Sequence, residues 1–128
     1  MNESSGIVQL FVTCIVDTLY PEIGEAVVRV LERAGVRVAF PPDQTCCGQP
    51  AFNAGLWPQA RAMAEHTIQV FEPTLGPIVV PSGSCAAMLR HHYLELFRDD
   101  PAWSARAQNL AERTFEFSEY LVDRLGIV

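Results

Sequence analysis

Apolar positions along this chain form short continuous runs that alternate with helical repeats. Residues 7–12 and 78–80 form apolar runs with the composition of buried strands, and Val36, Val38 and Phe40 indicate a further strand between them. Apolar residues recur every three or four positions over 21–34 and 58–71, which predicts two helices with one buried side each. A third helix is predicted to open at Ser82 and to run to about residue 97.

The last third of the chain continues this alternation. Asp100-Pro101 is typical of a helix N-cap followed by a first-turn proline. Residues 115–117 predict either a fourth short strand or a kink, and Ser118 is expected to cap a last helix that ends at Gly126. Strands alternating with helices indicate the α/β class. We expect a three-layer Rossmann-like or flavodoxin-like half-domain with a mostly parallel sheet of about four strands.

Composition narrows the classes of partner. The 128 residues, 49% of them hydrophobic, are enough for one domain spanning 1–128. A net charge of −6 argues against nucleic acid and against an anionic membrane surface as binding partners.

The N-terminal residues lack the basic start and cleavage site of a signal peptide, and the first apolar run is too short to cross a bilayer. We therefore expect a cytoplasmic protein without membrane insertion.

Each predicted strand is followed by cysteine. Cys14 comes after the first strand, Cys46 and Cys47 after the second, and Cys85 after the third. Loops at the carboxyl ends of neighbouring parallel strands gather at one edge of the sheet, where ligands of such folds bind. In a reducing compartment, cysteines brought together in this way indicate metal ligands or reactive thiols more than disulfides. The sequence predicts that these four thiolates are metal ligands.

The neighbouring residues suit a thiolate-bound group. The loops open helices whose free N–H groups favour anions. Gly48 and Gly83 allow the backbone close to a bulky group, and Ser82 and Ser84 can donate hydrogen bonds to sulfur, so these four are predicted to contact the cofactor. An all-thiolate site selects Zn²⁺, Cu(I) or an iron–sulfur cluster. Adjacent cysteines fit a single zinc ion poorly and favour a multinuclear cluster.

Several segments resemble the cysteine-rich CCG domain, which occurs in the iron–sulfur subunit of glycolate oxidase, in heterodisulfide reductase and in lactate utilisation protein A. The resemblance covers essentially the whole chain, and it is strongest with the N-terminal half of lactate utilisation protein A. Its segments are Phe11-Val12-Thr13-Cys14, Thr45-Cys46-Cys47-Gly48-Gln49-Pro50-Ala51-Phe52-Asn53, Pro81-Ser82-Gly83-Ser84-Cys85 and Asp99-Asp100-Pro101.

The resemblance implies an iron–sulfur electron-transfer domain, of the [4Fe–4S] type, in a complex that oxidises L-lactate to pyruvate or glycolate to glyoxylate. It implies other subunits of that complex as partners, and a second CCG half or a second copy of this chain. Two features depart from the family: Met88 stands where the motif has a fifth cysteine, and one CCG domain is present where the family carries two. A zinc or thiol module that docks a partner, and a heterodisulfide reductase-like thiol–disulfide activity, are the alternatives. No residue is assigned as a catalytic base.

Overall fold

The computed structural model describes residues 7–11, 21–41 and 43–126. Its strands are β1 (Ile7–Leu10), β2 (Arg37–Ala39), β3 (Ile78–Val80) and β4 (Thr114–Glu116). Its α-helices are α1 (Pro21–Arg33), α2 (Gln49–Asn53), α3 (Trp57–Phe71), α4 (Gly83–Ala87), α5 (Tyr93–Leu96), α6 (Pro101–Arg113) and α7 (Phe117–Asp123). A π-helical turn, Met88–His92, joins α4 to α5.

The four strands of the described chain form one parallel sheet in the order β2-β1-β3-β4. Ile7 pairs with Arg37 on one side of β1, and Gln9 pairs with Ile78 on the other. The α/β prediction is confirmed, and the order corresponds to the flavodoxin-like arrangement. In that arrangement the chain reverses direction across the sheet between β1 and β3, and ligands bind at the carboxyl ends of the strands there.

Helices cover both faces of this sheet, so the molecule has three layers. Alternate strand residues point to opposite faces: Ile78 and Val80 join one buried cluster, whereas Val79 joins the other. The larger cluster contains residues of α3, of the helical segment from α4 to α5, and of α6. The smaller cluster contains residues of α1 and α7. Within the described part of the chain, no helix has the length and apolar character needed to cross a membrane.

The loop before β3 is held by a glycine and an arginine. Gly76 has a φ of +92°, and a Cβ there would lie 2.2 Å from the carbonyl oxygen of Ile7, so only glycine fits. The Arg113 guanidinium donates hydrogen bonds to the Gly76 and Phe71 carbonyl oxygens and to Thr74 Oγ1, at 2.9, 3.0 and 2.9 Å. This anchoring fixes the start of the strand whose far end leads to Cys85.

Several local predictions were confirmed and others were wrong. Asp100 is the N-cap of α6, accepting a hydrogen bond from the Trp103 amide, and the segment around Phe115 is a strand. Ser118 does not cap the last helix. Glu116 does so instead, in a capping box with Glu119, because the fourth strand runs directly into the helix and Glu116 is its last residue.

Candidate metal centre

The loop after β2 and the first turn of the helix after β3 bring two of the predicted ligands into contact. Cys47 Sγ lies 3.8 Å from Cys85 Sγ, across 38 positions of sequence. Cys47 is buried, whereas Cys46 and Cys85 are half-buried, and all three are free thiols. Cys14 lies outside the described residues, so its predicted place in the site stays a prediction.

The Cys46-Cys47 loop is shaped by Gly48. With a φ of +96°, Gly48 turns the chain into α2, and its N–H points at Cys46 Sγ from 3.4 Å. A Cβ at this position would lie 3.3 Å from both the Ala60 carbonyl oxygen and Met63 Cβ on α3. Glycine at 48 thus serves the backbone turn and the close packing of the loop on α3. The short helix α2 that follows this turn was not predicted from the sequence.

The Cys85 loop begins the helix that follows β3. Ser82 is the N-cap, and its Oγ accepts a hydrogen bond from the Cys85 amide at 3.4 Å and lies 3.1 Å from Ser84 Oγ. Gly83 differs from Gly48, because its φ is not in the left-handed region and a Cβ would meet no atom within 4 Å. The backbone therefore does not require glycine at 83, and the space beside it is open.

The two thiols in contact differ in acidity. Cys47 donates its hydrogen bond to Cys85, and this bond, together with burial, raises the pKa of Cys47 well above the ordinary thiol range. The same bond lowers the pKa of Cys85 to about 6, with Ser82 and Ser84 adding hydrogen bonds in the same direction and burial opposing them. Cys85 is thus the thiol predisposed to be a thiolate, the form that binds metal.

Tyr93 also belongs to this site, although sequence reasoning did not single it out. Its ring is completely buried, and its hydroxyl donates a hydrogen bond of 2.7 Å to the carbonyl oxygen of Cys47. Burial raises the pKa of Tyr93 well above its ordinary value, and the nearby Cys47, Cys46 and Cys85 contribute in the same direction. A tyrosine within an otherwise apolar helical pattern was the available signal, since buried tyrosines usually hydrogen-bond through their hydroxyl groups.

Met88 is a core residue. It is fully buried at the start of the π-helical turn, one turn beyond Cys85, and belongs to the cluster that contains Cys47 and Tyr93. A turn of π-helix inserts one extra residue into a helix and is frequent at functional sites.

These residues suit a thiolate-bound group in chemistry and in space. Two ligands about 2.3 Å from one tetrahedral ion lie about 3.8 Å apart, which is the separation of the Cys47 and Cys85 sulfurs. Soft thiols, amide donors aimed at sulfur and the open space beside Gly83 all fit such a group. Among the residues that the structure describes, however, no set of three or more histidine, cysteine, aspartate or glutamate side chains is arranged around one ion. A closed ligand set needs at least one further donor.

Fold and site together define a class: a parallel α/β domain with a thiol cluster at the carboxyl edge of its sheet. The sequence pattern of the cysteine-rich domain family, CCG, matches residues 8–90. The chain belongs to this family.

Three similar curated proteins are named lactate utilization protein A. The chain is 50% identical to lactate utilization protein A of Bacillus pumilus (strain SAFR-032) over 120 residues, which cover 94% of this chain and 50% of that protein. It is 52% identical to lactate utilization protein A of Shouchella clausii (strain KSM-K16), over 94% of this chain and 49% of the relative. The protein of the same name from Exiguobacterium sp. (strain ATCC BAA-1283 / AT1b) is 48% identical, with the same coverage.

The chain therefore spans about half the length of the curated relatives that it matches. No solved structure matches it at a significant level.

Proposed function

We propose that this chain is an iron–sulfur electron-transfer domain of a cytoplasmic oxidoreductase system that oxidises L-lactate to pyruvate. The observation that carries the proposal is the contact between Cys47 and Cys85, two cysteines from different strand-end loops of a CCG domain. The ligands would be Cys14, Cys46, Cys47 and Cys85, with Gly48, Ser82, Gly83 and Ser84 around the cluster.

The substrate follows from the names of the relatives. Proteins 48–52% identical to this chain are named for lactate utilization. Glycolate is the alternative substrate that the resemblance to the glycolate oxidase iron–sulfur subunit implies. When bound, a [4Fe–4S] cluster supplies a one-electron relay. We propose that other subunits carry out the proton and hydride chemistry of lactate oxidation. The partners we propose are those subunits, together with a second CCG half or a second copy of this chain.

The amides at this site support a role in tuning a cluster. Gly48 N–H points at Cys46 Sγ, and a hydrogen bond from the Gln49 backbone lowers the pKa of Cys47 against the larger effects that raise it. Hydrogen bonds to ligand sulfur stabilise negative charge there and help to set the reduction potential of iron–sulfur clusters. Both donors come from the turn at Gly48, so the same backbone feature serves two candidate ligands.

Anaerobic purification with iron, acid-labile sulfide and electron paramagnetic resonance analysis tests this proposal. Wild-type protein should contain iron and sulfide in equal amounts, and Cys47→Ser and Cys85→Ser should each lose most of both. Met88→Leu is the matched control, because it removes a buried sulfur next to the site that is not a proposed ligand. A wild-type protein that binds no iron under these conditions would refute the cluster.

A second candidate is a thiolate-bound zinc in a module that docks a partner subunit. The 3.8 Å separation of the Cys47 and Cys85 sulfurs favours it, because it suits two ligands on one tetrahedral ion. Elemental analysis of the same preparations separates the two: zinc in stoichiometric amount in a colourless protein supports the docking module. In that case the cysteine variants should weaken partner binding and leave electron transfer unchanged.

A further inference from the structure

One peptide group connects Tyr93 to the sulfur of Cys46. The carbonyl oxygen of the Cys47–Gly48 peptide accepts the Tyr93 hydroxyl at 2.7 Å. The N–H of the same peptide points at Cys46 Sγ from 3.4 Å. Since this peptide is trans, its C=O and N–H point in opposite directions, so the phenol and the sulfur lie on opposite sides of one peptide group.

We propose that Tyr93 is a positioning residue that orients the Cys47–Gly48 peptide and strengthens its hydrogen bond to Cys46 Sγ. The orienting effect depends only on the protein, whereas its consequence for a cluster rests on the proposed function. A carbonyl that accepts a hydrogen bond becomes more polarised, and its N–H becomes a better donor. The turn at Gly48, whose left-handed conformation interrupts regular backbone pairing, is where such an anchor matters.

The position of Tyr93 is well determined by its surroundings. Its side chain is fully buried in the larger core cluster, and its own N–H donates to the carbonyl oxygen of Met88, the first residue of the π-helical turn. Thr67 Oγ1 is buried beside the Tyr93 ring and, among the described residues, has no partner within hydrogen-bonding distance and angle. It is nevertheless near enough to the Tyr93 phenol to lower the pKa of Tyr93. The Tyr93 hydroxyl and the Thr67 hydroxyl are therefore neighbouring polar groups inside an apolar core, and the Cys47 carbonyl oxygen accepts the hydrogen bond from Tyr93.

Hydrogen exchange at the Gly48 amide measures the effect directly in metal-free protein. Tyr93→Phe removes only the hydroxyl, and losing one buried hydrogen bond should speed exchange of this amide roughly 5- to 30-fold. Tyr120→Phe is the matched control, because Tyr120 is also buried but belongs to the cluster on the other face of the sheet. Amides of the central strand β3 report global unfolding, and their exchange is the reference for both variants.

Selective acceleration at Gly48 in Tyr93→Phe, beyond any change in β3 and absent from Tyr120→Phe, supports the proposal. Equal acceleration at Gly48 and in β3 would mean that the hydroxyl only stabilises the fold, and would overturn it. An unchanged Gly48 amide would overturn it as well.

A second measurement does not depend on a variant that folds. In wild-type protein labelled with 3-fluorotyrosine, addition of Cd²⁺ alone should shift the ¹⁹F resonance of Tyr93 and leave that of Tyr120 unchanged. A Tyr93 resonance that does not respond while Cd²⁺ binds would contradict the connection through the peptide.

The reconstituted cluster gives the functional readout. A weaker hydrogen bond from the Gly48 N–H to Cys46 Sγ destabilises the reduced, more negative cluster, so Tyr93→Phe should have a more negative midpoint potential than wild type and Tyr120→Phe. If wild-type protein forms no cluster, the proposed function fails while the exchange experiment still decides the role of Tyr93. If a cluster forms and its potential is the same in all three proteins, the tuning role is refuted and the proposed function stands.

Discussion

Replacing Gly48 or Gly83 with alanine tests why glycine is present at each position: for its backbone conformation and close packing, or for the open space beside it. Gly48 has a φ of +96°, and a Cβ would meet the Ala60 carbonyl oxygen and Met63 Cβ at 3.3 Å. Gly83 has neither constraint. The two positions lie in the two loops that carry the contacting cysteines, so each variant is the natural control for the other.

The expected effects on stability have opposite signs. For Gly48→Ala, a left-handed alanine costs roughly 1–2 kcal/mol, and the tight contacts with a helix backbone add to this, while alanine also restricts the unfolded chain. We expect a net loss of about 2–3 kcal/mol. For Gly83→Ala, at the first residue of α4, we expect a gain of about 0.5–1 kcal/mol.

Urea and thermal unfolding of metal-free protein under reducing conditions measure both effects. For a domain of this size, each kcal/mol corresponds to roughly 3–6 °C in Tm, so Gly48→Ala should melt well below wild type and Gly83→Ala at or slightly above it. A Gly48→Ala protein as stable as wild type would refute the packing of this loop on α3. The iron content of the same variants then tests the open space: Gly83→Ala should bind less iron despite its stability if a cluster fills that space.

Three further predictions concern other contacts. Arg113→Met removes three hydrogen bonds to the loop before β3 and should cost about 2–4 kcal/mol in urea unfolding; a loss below about 0.5 kcal/mol would contradict the anchoring. In metal-free protein, the alkylation rate of Cys85 should rise with pH through a midpoint near 6, because the thiolate is the reacting form. The alkylation rate of Cys47 should stay low to above about pH 9. Equal pH profiles for the two thiols would contradict the direction of their hydrogen bond. The Glu72 carboxylate pairs with Arg106, which lowers the pKa of Glu72. This pair therefore adds a small, solvent-screened stabilisation above the unfolded-state pKa of 4.5, and the stabilisation is lost as pH falls through the folded-state pKa. Glu72→Gln should flatten the pH dependence of stability in this range, and an unchanged pH dependence would contradict the pairing.

Secondary structure was predictable wherever the signal is local. The strand at residues 78–80 and the N-cap at Asp100 were located correctly, because a β-branched run bounded by turn residues and a cap followed by proline depend on nearby residues alone. The capping box at Glu116 and the π-helical turn were not predicted. The capping box begins at the last residue of the fourth strand, so its position depends on where that strand ends.

The amino-acid chain alone indicated the α/β class and the positions of Cys46, Cys47 and Cys85 beyond the second and third strands, because strand and helix periodicities are local and parallel strands share a carboxyl edge. It also carried the CCG motif that identifies the family. Which sulfurs meet depended on folding. Cys47 and Cys85 are in contact because β1 lies between β2 and β3 at a fixed spacing and the turn at Gly48 packs on α3. The hydrogen bond from Tyr93 to the Cys47 carbonyl was likewise a result of folding, since it joins residues 46 positions apart whose proximity no local pattern encodes.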